Sequence, residues 1–211
     1  MKHILQIVIL FGLTANALPA DIVYNVAVNT SAYLGRFGYL DFQLGSGPDS
    51  TLASVAVQNF STDGVLNDTD KQMSGDVTGV LPEIITLTNR QQFNDYFVGF
   101  TYGKLIAFTL GFSGPAINES TSTAAYGSPF YFGLYDSAQA PIGSSDAFGS
   151  ALLIQINADG TTTPQIYNNA VSATTVAVPE PGALGLLGVG LAIAAKAVRA
   201  RGQSRHHRQL I

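Results

Sequence analysis

Leu105-Ile106-Ala107-Phe108-Thr109-Leu110-Gly111-Phe112 decides the fold: Ile106, Phe108, Leu110 and Phe112 are large and apolar, and the residues between them are smaller or more polar. Strand side chains point alternately to two faces, so this period of two specifies a half-buried strand with one face toward a core. Working outward, Phe93 to Tyr102, Ile84 to Thr88, and Val55 with Val57 continue the pattern upstream. Leu40, Phe42 and Leu44 alternate with Tyr39, Asp41 and Gln43, and Ile22, Tyr24, Val26 and Val28 do the same near the start. Downstream lie Phe130-Phe132-Leu134 and Leu152-Ile154-Ile156. Turn chemistry separates them at Gly45-Ser46-Gly47-Pro48-Asp49, Asp63-Gly64, Ser113-Gly114-Pro115 and Ala158-Asp159-Gly160, the last predicting a hairpin. No helical period persists beyond two turns and no repeat is evident. Residues 21–170 are therefore predicted to fold as an all-β, jelly-roll-like two-sheet β-sandwich of roughly nine or ten strands.

Composition narrows the chemistry. The 211 residues include no Cys and no Trp, and the three His lie at positions 3, 206 and 207. Residues 21–178 thus lack a thiolate nucleophile, a Ser-His-Asp or Cys-His arrangement and any His-ligated metal. The net charge of −4 is also unevenly placed. Residues 21–178 hold thirteen acidic and four basic residues, a balance of −9, whereas Lys196, Arg199, Arg201, Arg205 and Arg208 put +5 at the end. A strongly acidic domain is a poor partner for phosphate backbones, so nucleic acid is not expected.

The two ends carry address information. Lys2 and His3 precede an apolar run from Ile4 to Leu13, followed by small residues, which is the order of a secretory signal peptide over residues 1–20. Ala15-Asn16-Ala17 and Leu18-Pro19-Ala20 place cleavage after Ala17 or Ala20. Residues 171–181 read as a small, polar linker or a last edge strand ending in Pro179-Glu180-Pro181, whose prolines remove two backbone donors and keep the segment extended. Residues 182–198 read as a transmembrane helix of about 26 Å, close to the roughly 30 Å hydrocarbon core once Lys196 reaches the interface along its alkyl stem. Residues 199–211 form a basic tail held cytoplasmic by the positive-inside rule, with anionic-lipid contact as a side effect.

Pro179-Glu180-Pro181, the Gly- and Leu-rich segment after it and the terminal Arg cluster together resemble the PEP-CTERM sorting signal of Gram-negative bacteria. The resemblance covers about thirty residues from Val178. It implies recognition by an exosortase, a membrane-embedded protease or transpeptidase, and transfer from the lipid bilayer to the cell surface or extracellular matrix of a biofilm. The tail is longer than such signals usually carry, and Lys196 interrupts the apolar end. The middle region, through Tyr24 to Ser31, Gly38 to Gln43, Asn59 to Gly64, Gly75 to Gly79, Phe93 to Phe97 and Phe132 to Asp136, is similar to PEP-CTERM proteins with an uncharacterised β-rich ectodomain, and that likeness implies no activity.

Three chemistries remain for the ectodomain. Paired carboxylates could hydrolyse a glycoside, but acids at Asp49, Asp63, Asp68, Asp70, Asp76, Asp136, Asp146 and Asp159 fall at turn positions, where solvation explains them. Asp63, Asp68, Asp70 and Asp76 form the densest oxygen-rich loop and are the candidate calcium ligands, although the Gly and terminal Glu of an EF-hand are missing. The plainer reading of the same residues is a polar β-hairpin loop. Tyr96, Phe97, Phe100, Tyr102, Tyr126, Tyr131 and Tyr135 are candidate platforms for sugar rings, such as those of an exopolysaccharide, or else core and cross-strand pairs. The expectation is an exported structural or adhesive surface protein without catalysis or obligatory cofactor. The alternatives are a carbohydrate-binding β-sandwich and a single-pass inner-membrane protein that is never processed.

Overall fold

The computed structural model describes residues 22–119 and 127–176. Twelve strands follow one another: β1 (Ile22–Asn29), β2 (Phe37–Gly45), β3 (Ser54–Thr62), β4 (Val65–Ser74), β5 (Val77–Gly79) and β6 (Ile85–Thr88) in the first half. β7 (Phe93–Thr101), β8 (Leu105–Ser113), β9 (Ser128–Asp136), β10 (Ser150–Ile156), β11 (Thr162–Ile166) and β12 (Val171–Val176) complete the series. One short helix, α1 (Pro115–Asn118), follows β8. Among the described residues no helix is long and apolar enough to cross a membrane. The signal peptide, its cleavage sites at Ala17 and Ala20, the 182–198 span and the 199–211 tail lie outside the described residues.

The strands form two six-stranded antiparallel sheets, β12-β1-β8-β3-β6-β5 and β11-β10-β9-β2-β7-β4. β1 pairs with β8, β2 with β7 and β3 with β6. The pairings nest, as in a long antiparallel ribbon wrapped across both sheets, which is the jelly-roll connection expected from the sequence. β9, β10 and β11 extend the second sheet beyond β2, and β12 extends the first beyond β1. The expected strands are present, the additional ones are β4 and β5, and of the two readings of residues 171–176, linker or last edge strand, the edge strand β12 is formed.

Alternation explains why these residues pair this way. Ile106, Phe108, Leu110 and Phe112 of β8 are buried, as are Leu40, Phe42 and Leu44 of β2 and Leu152, Ile154 and Ile156 of β10. The two inner faces meet through Phe108 of the first sheet and Phe42 and Phe132 of the second, with ring centroids 5.1 to 5.5 Å apart and inclined to one another. Inclined rings bring a positive edge against a negative face, so the contact adds to simple burial.

Two details set the outline. β3 crosses to β4 through Asp63-Gly64, and β7 crosses to β8 through residues 102–104. Asp63 Oδ1 accepts the backbone N–H groups of Lys104 at 2.7 Å and Leu105 at 3.0 Å, which ties the crossings together. The expected Asp159-Gly160 hairpin is present, closed by Asn157 N–H donating to the Thr161 carbonyl at 2.8 Å, with Gly160 at φ +82. The linker boundary moves: residues 171–176 pair with β1 as β12, so the sandwich runs to Val176 rather than ending at 170. Small, polar residues suffice there because β12 is an edge strand with a largely solvent-facing pattern.

Candidate functional site

The outward face of the second sheet carries the densest chemistry. Tyr39, Asp41 and Gln43 are the outward residues of β2, opposite Leu40, Phe42 and Leu44 on the core side. Register places Tyr135, Gly133 and Tyr131 of β9 beside them on one flank, and Gly99, Phe97 and Asp95 of β7 on the other. The sheet thus delivers two acids, a carboxamide and several aromatic rings to one surface.

Asp41 is only 5% exposed despite sitting on an outer face. The ring of Tyr135 folds back over Gly133, where a Cβ would come within 2.6 Å of Tyr135 Cε2. Glycine at 133 therefore lets this ring lie over the strand, and the Tyr135 hydroxyl bonds to Asp41. Gln43 Nε2 donates to Asp41 Oδ2 at 2.6 Å. The carboxyl groups of Asp41 and Asp95 are hydrogen-bonded to each other, while Oδ1 of each is a buried atom with no donor. One proton held between them supplies that donor. Burial, with the adjoining Asp95 carboxyl, pushes Asp41 up to about 9, and burial also raises Asp95. At neutral pH Asp41 therefore holds its proton. Burial, then the charge of Asp41, pushes Tyr135 up to about 12, so its phenol stays neutral.

Beside the pair lies a cleft of about 210 Å³ lined by Asp41, Gln43, Tyr131, Tyr135, Phe148 and Ser150, with Gly133 as floor. A larger, open cleft of about 640 Å³ adjoins it and shares Tyr131, with Gln92, Gln155, Asn157 and Ser46 among its walls. Phe148 is 87% exposed at the rim of the smaller cleft. Along the same sheet Phe37 and Tyr39 meet at 5.3 Å, Tyr39 stacks on Phe97 at 4.7 Å, and Phe97 meets Tyr135 at 5.9 Å.

The structure divides the aromatic candidates. Phe97, Tyr131 and Tyr135 belong to this outer face, whereas Tyr96, Phe100 and Tyr102 are core residues. Tyr126 lies outside the described residues. Three of the four acids of the calcium loop are engaged separately. Asp63 holds the crossing at Lys104 and Leu105, and these N–H groups, Leu105 first, keep its carboxyl below the usual range. Asp70 accepts from Asn67 at 2.6 Å, and Asp68 is exposed on bulged β4. Asp76 accepts from Thr88 and pairs with Arg90 at 3.7 Å. Among the described residues no three His, Cys, Asp or Glu side chains group as metal ligands.

Asp41, Asp95, Gly133 and Phe148 are the site residues that turn-by-turn reading of the acids passes over. The signal was present: Asp41 and Asp95 lie inside strands, where an acid has no turn to form and must face solvent or a partner.

These features define an acidic, antiparallel β-sandwich with an aromatic and amide-lined outer cleft. The chain also carries a sorting signal: the family model described as PEP-CTERM protein-sorting motif matches residues 177–201. That range contains Pro179, Glu180, Pro181, Lys196, Arg199 and Arg201, while Arg205 and Arg208 lie beyond it, and all are outside the described residues. The motif implies an exported protein recognised by an exosortase at the membrane, with the cell surface as its outcome. No curated protein matches the chain, and no solved structure matches it.

Proposed function

We propose that this chain is a cell-surface or extracellular-matrix protein with a structural or adhesive role, made with a signal peptide at residues 1–20 and held transiently by a span at residues 182–198. The observation that carries the reading is the sorting motif at residues 177–201, which begins directly after β12 closes the sandwich at Val176. Pro179-Glu180-Pro181 is the processing region. The cations at Lys196, Arg199, Arg201, Arg205 and Arg208 hold the far end in the cytoplasm.

Binding rather than catalysis fits the ectodomain. The Asp41–Asp95 carboxyl pair is hydrogen-bonded, which does not match the separation of about 5 Å or more that glycosidase carboxylates keep around the sugar, so this pair is not set for glycoside hydrolysis. Mass spectrometry of the native mature protein tests the reading. A C-terminus between Pro179 and Gly182 on surface-exposed material supports it, and an intact Ile211 in the inner membrane replaces it with a retained single-pass protein.

A further inference from the structure

We propose that the outer face of the second sheet binds a neutral glycan chain, seated in the groove that runs from Gln155 and Asn157 past Tyr131 to Asp41, Tyr135 and Phe148. The inference deepens the adhesive reading above and rests on it for the biological setting.

Continuity comes first. The two clefts of about 640 and 210 Å³ lie on either side of Tyr131, which lines both, so an extended ligand crossing that ring reaches both. The groove floor is low because Gly45, Gly127 and Gly133 contribute no side chains.

The polar groups are already aimed. Gln43 spends its Nε2 on Asp41 at 2.6 Å, and Gln155 spends its Nε2 on the Ile156 carbonyl at 2.9 Å. Each amide is thereby oriented with its oxygen left for a ligand hydroxyl. Fixing such groups before binding lowers the ordering cost of the complex. Asp41 supplies a buried carboxyl that fixes Gln43 and Tyr135 at the wall.

Apolar contact comes from rings at the rim. Phe148 is 87% exposed at the cleft mouth, a position where folding alone gives an aromatic little return. Its face and that of Tyr131 suit the C–H face of a pyranose, while amides and phenols suit its equatorial hydroxyls.

Charge selects the class of glycan. Neither cleft is lined by Lys or Arg among the described residues, and residues 21–178 carry −9. Uronate, sulfated or phosphorylated polymers would meet repulsion with no cation to offset it. A neutral hexose polymer meets none.

The test uses the full chain in a detergent without a sugar headgroup, run in native gels containing a soluble neutral glucan, a galactomannan or alginate. At least one neutral polymer is expected to retard the protein and alginate is not. Phe148→Ala and Tyr131→Ala are each expected to weaken retardation by about tenfold, Phe148→Ala at an unchanged melting temperature. Phe148 is exposed, so its variant remains informative even if Tyr131→Ala destabilises the sheet. The proposal is overturned if neither neutral polymer retards the wild type, if Phe148→Ala binds as the wild type does, or if alginate binds as tightly. Surface recovery with a C-terminus near Pro179 but no glycan binding removes the groove and keeps the surface reading. Glycan binding by a chain retained intact in the membrane does the reverse.

Discussion

Asp41 stands between Leu40 and Phe42 in β2, faces Gly133 across one strand pair and shares a proton with Asp95 from the other neighbour. Its folded pKa of about 9 lies above the ordinary carboxylate value, so the native state holds a proton that the unfolded chain releases. That stabilisation is fully present below about pH 4 and is lost progressively as pH rises toward about 9. Stability to urea should therefore fall between pH 5 and pH 8.5, by up to about 1 kcal/mol per pH unit before other groups contribute. Asp41→Asn, whose amide can donate where the shared proton did, should flatten the profile and raise the urea midpoint at pH 8.5. A variant that keeps the wild-type slope would place the titration elsewhere. At this scale the sequence was only partly legible. The turn acids Asp63 and Asp159 do behave as turn and crossing residues, but burial of Asp41 depends on a ring two residues along another strand, which no local pattern reports.

Alternation made the strands readable where both periodicity and size were strong. Phe108 illustrates the cost of losing one such position, because its ring touches Phe42 and Phe132 across the sandwich. Phe108→Ala should lower unfolding free energy by about 3–5 kcal/mol in urea titration, as large aromatic truncations in tight cores do. Polar pins between elements were not readable. Asn89 Oδ1 accepts from Ala53 N–H at 2.8 Å, and its Nδ2 donates to the Thr51 carbonyl at 2.8 Å and Ser128 Oγ at 2.7 Å. The residue joins the segment before β3 to the start of β9. Asn89→Ala orphans a buried N–H and should cost about 2 kcal/mol by the same measurement. β4 escaped assignment, and the sequence of β12 allows both linker and edge strand, for a related reason: their side chains are mostly polar or small, and pairing to β7 and β1 makes them strands.

For the whole molecule, the charge division, the absence of His and Cys from residues 21–178 and the sorting motif were all legible, since each depends on composition or order rather than contact. The cleft was not, because it is assembled from β2, β9, the start of β10 and the segment before it. Chain ends matter at this scale. A fragment stopping after Ala170 lacks β12 and leaves the apolar β1 at a bare edge, whereas one stopping after Val178 retains it. The shorter fragment should melt lower and scatter light on standing, while the longer one stays clear. Equal behaviour would show that β12 is dispensable.

The β1–β12 ladder also has a mechanical meaning. Val176, the last residue of the sandwich, lies opposite Val23, the second residue of β1, and six register pairs join the two strands. Tension on the chain beyond Val176 enters the domain through that ladder before any other element is loaded. A molecule that holds a polymer on its second sheet while tethered through this end would have its rupture force set by an outer strand, leaving the Phe-rich core unstrained until the edge gives way.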